Sequence, residues 1–199
     1  MPFILLQRRT GVPSPAGQLV LREETMTITL SDIARIQLDQ TFRALDTILA
    51  KGAAHARERG VDEAVYLDWR LAADMYPLTK QIQLVSDFSV RGLSRMAGRD
   101  PVSMADDETS FEALRLRLAK AREAIWALDP AALDADPEGT ITFPAGAIGD
   151  LTLPRGRYLQ NFVLANTQFH AATAYNILRN IGVPLGKADM MGATQLVAE

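Results

Sequence analysis

The 199-residue chain contains no cysteine, only two histidines, and no apolar run near the roughly 20 residues needed to cross a bilayer. Without cysteine there is no disulfide framework, no thiolate metal site and no cysteine nucleophile, so any chemistry must use imidazole, carboxylate, amide or hydroxyl groups. The same absence fits a reducing cytoplasm, which is the expected location. Lacking a long apolar run, the protein is expected to stay off the membrane. Residues 1–6 are mostly apolar, but Arg8 and Arg9 follow them instead of preceding them, so no signal peptide is read there. An excess of positive charge is missing too. The formal charge is -3, and no Lys/Arg stripe interleaves with aromatics, which argues against a nucleic-acid partner.

What is present suits one globular domain: 48% apolar and 23% charged residues over a length that supports a full core. Pro13, Pro15 and Gly17 mark residues 1–25 as a poorly structured extension, and 26–199 as the folded unit, with Met26 a candidate initiator. Ser31 and Asp32 signal a first helix running to Gly60, with Ala34, Leu38, Thr41, Leu45 and Ile48 at helical spacing. Residues 61–74, with Tyr66 and Trp69, form a connection with room for a short helical turn. Pro77 suits the start of a second helix, over 78–96, and Phe111, Leu114, Leu118, Ala121, Ile125 and Leu128 mark a third that Pro130 closes. Glycines at 139, 146, 149 and 156 punctuate β-prone runs at 140–143 and 151–153, a candidate hairpin. A fourth helix spans about 157–181 and stops at Gly182 and Pro184. The pattern predicts an all-α four-helix bundle with a small β-hairpin before the last helix.

Function is concentrated on that last helix. Asn166, His170 and Thr173 project into the apolar arc formed by Leu159, Phe162, Val163, Ile177 and Ile181. The i, i+4 spacing brings Asn166 and His170 to about 5–6 Å at Cβ, close enough to share a ligand. On the second helix, Gln81 falls with Leu84, Val85 and Phe88, while Lys80, Gln83, Asp87 and Arg91 form the outer face. Gln81 is therefore the expected third member of the polar set, and Asp87 is read as an exposed partner of Arg91. Three readings remain open for Gln81, Asn166 and His170: a hydrogen-bonded cluster fixing helix register, a pocket for a small polar molecule that Thr173 would also line, or a divalent metal site.

Other motifs carry less. The segment from Gly182 to Lys187 lacks the spacing, the Ser or Thr and the preceding strand of a phosphate loop. His55, among Lys51, Arg57 and Arg59, reads as a helix-terminal residue, while Tyr66 and Trp69 read as packing at a bundle end. No GxSxG elbow supports a serine hydrolase.

The stretch NTQFHAATAYNILRNIG at 166–182 resembles the last helix of the DinB-like superfamily, whose pattern is HxxxHRGQ followed by an apolar stretch, Leu-Arg and Gly. His170 matches the second histidine, and Leu178, Arg179 and Gly182 follow without a gap. With RLAADMYPLTKQIQ at 70–83 and VPLGKADMMG at 183–192, residues 26–192 resemble a bacterial family of this superfamily known only as a domain of unknown function. The resemblance implies a four-helix bundle, a homodimer, and a divalent metal held by three histidines, one on helix two and two on the last helix. Some members are thiol-dependent transferases or isomerases. Carried onto this chain, the three ligand positions become Gln81, Asn166 and His170, so two histidines are missing. His170-Ala171-Ala172-Thr173 also lacks the Arg and Gln of the pattern. The expectation is a cytoplasmic bundle that binds a small molecule around His170 and Asn166 at a degenerate metal site. Nickel or zinc, or no cofactor at all, stand as equal readings. The alternatives are a metal-dependent thiol transferase or isomerase, and a purely structural or protein-interaction role.

Overall fold

A computed structural model describes residues 28–192 and the backbone of residues 9–13 and 19–23. Within the segment expected to be unstructured, strands β1 (Arg9–Pro13) and β2 (Leu19–Glu23) pair antiparallel, with Gly11 opposite Leu21. The expected boundary at Met26 lies outside the described residues. Helix α1 (Leu30–Arg59) starts one residue earlier than Ser31 suggests. Thr29 is the cap, accepting from the Asp32 N–H, while the Asp32 carboxylate accepts from the Thr29 N–H. Ser31 is thereby free to bond elsewhere, and its N–H and hydroxyl both reach Asp134, at 2.8 and 2.6 Å. At the other end Gly60 takes the left-handed conformation (φ 62°) that closes the helix.

The connection after α1 holds one short helix, α2 (Glu63–Leu67), which buries Tyr66. Helix α3 (Leu78–Met96) has the predicted bounds, with Pro77 as its N-cap. Helix α4 (Phe111–Trp126) ends before Leu128, and Pro130 opens the next helix instead of closing this one, sitting in the first turn of α5 (Pro130–Asp134). The hairpin forms as expected from β3 (Thr140–Pro144) and β4 (Asp150–Pro154), with Thr142 opposite Thr152. Its inward residues Ile141 and Phe143 are buried while their neighbours are exposed, the alternation a half-buried strand requires.

The chain then turns through α6 (Arg155–Arg157) into a π-helical segment (Tyr158–Leu164) and helix α7 (Ala165–Ile181), followed by α8 (Lys187–Met190). Helix α3 is central, packing against α7 on one side and α4 on the other, with α1 against α4. Leu45, Ile48, Leu49, Ile82, Leu93, Leu114, Val163 and Ile177 fill the core between them. The result is a mostly helical bundle with a small antiparallel hairpin before its last long helix. No helix among the described residues is long and apolar enough to cross a membrane.

Candidate functional site

Helices α3 and α7 meet along a seam of small and polar residues. A Cβ on Gly92 would come within 2.5 Å of Val163, so only glycine permits this approach of the two backbones. One step along, the buried hydroxyls of Ser89 and Thr167 lie 3.1 Å apart, each also within reach of the carbonyl four residues back, Val85 at 2.7 Å and Val163 at 2.8 Å, so that their two protons are shared among three contacts. Gln81 sits in the first turn of α3, where the N-terminal backbone groups lie open. Its side-chain amide reaches back to donate to the Tyr76 carbonyl at 2.9 Å. That bond fixes which way the amide faces, and leaves Oε1 as the atom 2.7 Å from Nδ1 of His170. An amide oxygen only accepts, so the hydrogen-bond network assigns the proton to Nδ1. In the neutral ring Nε2 then carries the lone pair, and it has no hydrogen-bond partner among the described residues.

Burial pushes the His170 imidazole below its ordinary pKa, favouring that neutral form. Phe88 stacks on the ring at 5.6 Å and 14°, and Phe169 meets it edge-on at 5.2 Å. The imidazole is thus held by one directional bond and two aromatic contacts, an arrangement that presents Nε2 as an unprotonated, oriented acceptor.

Asn166 does not join this pair. Its Nδ2 donates to the carbonyl of Phe162, 2.7 Å away, at the point where the π-helical segment returns to α-helix. The N–H of Ala165 bonds the same carbonyl, so Asn166 helps satisfy a disturbed turn of its own helix. Thr173 is buried and spends its hydroxyl on the Phe169 carbonyl at 2.8 Å. Of the four residues singled out in the sequence, the structure brings Gln81 and His170 together and turns Asn166 and Thr173 back on their own backbone.

This donor set does not fit a divalent metal. No group of three or more His, Asp or Glu side chains converges among the described residues. The Gln81 oxygen is already bonded to His170, leaving a single imidazole nitrogen where a structural or catalytic site needs three or four strong donors.

Several polar residues carry more than their spacing suggested. Gln83 and Asp87 do not form an outer face. Gln83 is buried and donates to Glu108 at 2.8 Å, and Asp87 accepts from Arg117 at 2.9 Å, with Arg91 more distant at 3.7 Å. Arg117, with its side chain 2% exposed, also meets Asp106 and Glu108 and donates to the Ala105 carbonyl. It ties the 100–109 loop to α3 and α4. The signal was available, since Arg117 falls three residues after Leu114 and one before Leu118, on the flank of the apolar arc. His55 is not merely terminal either: its Nδ1 lies 2.8 Å from the hydroxyl of buried Tyr66. Trp69 is 42% exposed and donates to Asn180.

Cavities lie beside these elements. One, of about 520 Å³, lies under the 102–108 loop against α4, with Met104, Leu116 and Arg117 in its wall. A second, of about 290 Å³, lies between α1 and α4 around Asp46 and Arg115. Neither includes Gln81 or His170.

The family described as "Domain of unknown function (DUF1993)" matches residues 30–191. No curated protein matches the chain. Among solved structures, the crystal structure of a DinB family member protein from Shewanella denitrificans is similar at 30% identity. The likeness covers 82% of this chain and 92% of that one, with a TM-score of 0.75. By the span of the family match and the likeness to a DinB family member, the chain belongs to the DUF1993 family of DinB-like proteins, whose function is unknown.

Proposed function

We propose that the protein binds a small polar molecule at the Gln81–His170 pair, with the neutral imidazole of His170 offering Nε2 to a hydrogen-bond donor on the ligand. The single observation that supports this reading is the chain of two bonds from the Tyr76 carbonyl through Gln81 to Nδ1 of His170. A buried histidine serving only to fill space needs no such orientation, whereas one that meets a ligand gains from having its tautomer and direction set in advance. In this reading Gln81 positions His170 and does not itself touch a metal, Asn166 shapes the turn beside the site, and Thr173 lines its wall. The protein acts in the cytoplasm as a homodimer, without nucleic acid.

A thermal-shift screen against small thiols and small organic acids, run on the wild type and on His170→Ala, tests the proposal. Binding at a hundredfold excess over Kd stabilises by about 2.7 kcal/mol, and that gain should vanish in the variant. Stoichiometric nickel or zinc in the purified protein, lost with His170, would overturn the reading in favour of a metal-dependent thiol transferase or isomerase. A stability loss in the variant, with no hit for the wild type, would instead leave a structural role. Light scattering decides the homodimer.

A further inference from the structure

A cavity of about 180 Å³ opens between α3, the π-helical segment and the end of β3, and its lining includes Leu84, Phe88, Arg91, Arg95, Pro144 and Phe162. It shares Phe88 with the His170 site, but His170 does not line it. The floor is aromatic. Phe88 and Phe162 meet edge to face at 5.6 Å and 75°, and Phe162 is backed by Phe143 at 4.2 Å and Tyr158 at 5.5 Å. These rings are therefore set in place before any ligand arrives. Gly92 forms part of the wall, and the close approach it allows to Val163 fixes the distance between α3 and the segment that carries Phe162.

The rim is cationic. Arg91 and Arg95 are four residues apart and so share one face of α3. Arg95 is half-buried, yet its one polar contact is the Tyr158 hydroxyl at 3.4 Å, and no carboxylate reaches it among the described residues. Arg91 is half exposed and 3.7 Å from Asp87, while Asp87 is bonded more closely by the buried guanidinium of Arg117 at 2.9 Å. Two guanidinium groups thus overlook an aromatic floor whose one carboxylate, Asp87, lies a turn before Arg91 and is already committed to Arg117. The position of Arg95 in the last turn of α3 is favourable for a cation, but the helix end does not account for the cavity or its rings.

We propose that this cavity binds a small aromatic carboxylate, with its ring against Phe88 and Phe162 and its carboxylate held by Arg91 and Arg95. The volume sets the size, because it falls below the roughly 300–1,000 Å³ of sites for drug-sized ligands and so admits a single ring. Planar guanidinium groups suit a planar carboxylate, and Asp87 in the same lining repels a dianion more than a monoanion. The site is independent of the proposed role of His170.

Titration of the full chain with benzoate, followed by backbone amide NMR at low salt and neutral pH, tests the proposal. Saturable binding is expected, with shifts centred on α3 and the π-helical segment. Arg95→Gln should weaken it roughly tenfold and Arg91→Gln severalfold, since each removes a charge-assisted bond. Arg91 is exposed, so its variant serves if Arg95→Gln disturbs folding. Benzyl alcohol should bind much more weakly, and inorganic phosphate should compete poorly. The proposal is overturned if benzoate does not bind, if neither arginine variant changes its affinity, if benzyl alcohol binds equally well, or if phosphate displaces benzoate at similar concentration.

Discussion

Nδ1 of His170 and Oε1 of Gln81 stand 2.7 Å apart, joining residues 89 positions apart in the sequence across the α3–α7 seam. Gln81→Leu leaves the imidazole N–H without its acceptor, which costs about 1–2 kcal/mol in a buried setting. It also releases the tautomer. Nitrogen-15 NMR should show Nδ1 protonated in the wild type and a mixture in the variant. A wild-type ring protonated at Nε2 would refute the assigned arrangement. Gln81→Glu should raise the His170 pKa, because a carboxylate favours the imidazolium.

Acid should weaken the fold in two separate windows. The folded His170 binds its proton less readily than the unfolded one, whose pKa is near 6.5. As pH falls below about 6.5 the unfolded chain takes up the proton first, so stability drops until the folded ring protonates as well. The urea midpoint should decline as pH falls below about 6.5, and His170→Gln should flatten that decline. The second window lies lower. At Asp106 the bond from Lys80 outweighs burial and lowers the pKa. At Asp134 burial opposes ionisation, but the bonds from Ser31 and its neighbours prevail and the pKa is again lowered. Their contributions are complete above the ordinary carboxylate value of 3.8 and are lost as pH falls through the folded pKa values.

Arg117→Ala should destabilise by about 3 kcal/mol, because it strands carboxylates that the guanidinium holds in a largely dry setting. Asp106 is 40% exposed, which keeps the cost toward the low end of the range for buried pairs. Limited proteolysis should then cut within residues 100–109, the loop this side chain anchors. Arg117→Lys should rescue little, since one ammonium cannot serve three carboxylates and a carbonyl in the same geometry. An unchanged cleavage rate would remove Arg117 from that role.

Gly92→Ala should cost about 1–3 kcal/mol by overpacking against Val163. Val163→Ala in the same chain should recover part of that loss, and a double-mutant cycle measures the coupling. Additive effects would mean that the two helices separate without strain.

The bundle was legible because its signals are local. Pro77 and Gly98 bracket α3, alternation marks β3, and Gly182 stops α7. The placement of Asn166 was not legible, since a wheel of 100° per residue assumes an unbroken α-helix. The π-helical stretch over Tyr158–Leu164 shifts the phase between the residues before and after it. Thr167 consequently lies fully buried where Asn166 was expected, and Asn166 moves to the flank. Gln81 lies on another helix, and His170 falls with Thr173 and Ile177 in the buried arc of α7 itself, so neither placement depended on the residues before the π-helical stretch. Asp87 does pair with Arg91, as its spacing suggests, but its partial burial and its closer partner were missed for a different reason. Its partner Arg117 lies 30 positions away on another helix, and no spacing along α3 reveals it.

Arg155 carries a consequence for how the molecule comes apart. Its guanidinium is buried at the start of the last helical stretch and donates to the carbonyls of Met96 at 2.7 Å and Leu133 at 2.9 Å, the C-terminal ends of α3 and α5. None of these groups titrates in the acidic range. The contacts of Ser31 with Asp134 and of Arg117 with its carboxylates do depend on ionised acids. Below the His170 window, as these carboxylates protonate, hydrogen exchange should therefore rise at the start of α1 and in the 100–109 loop before it rises where Arg155 ties the ends of α3 and α5 to α6.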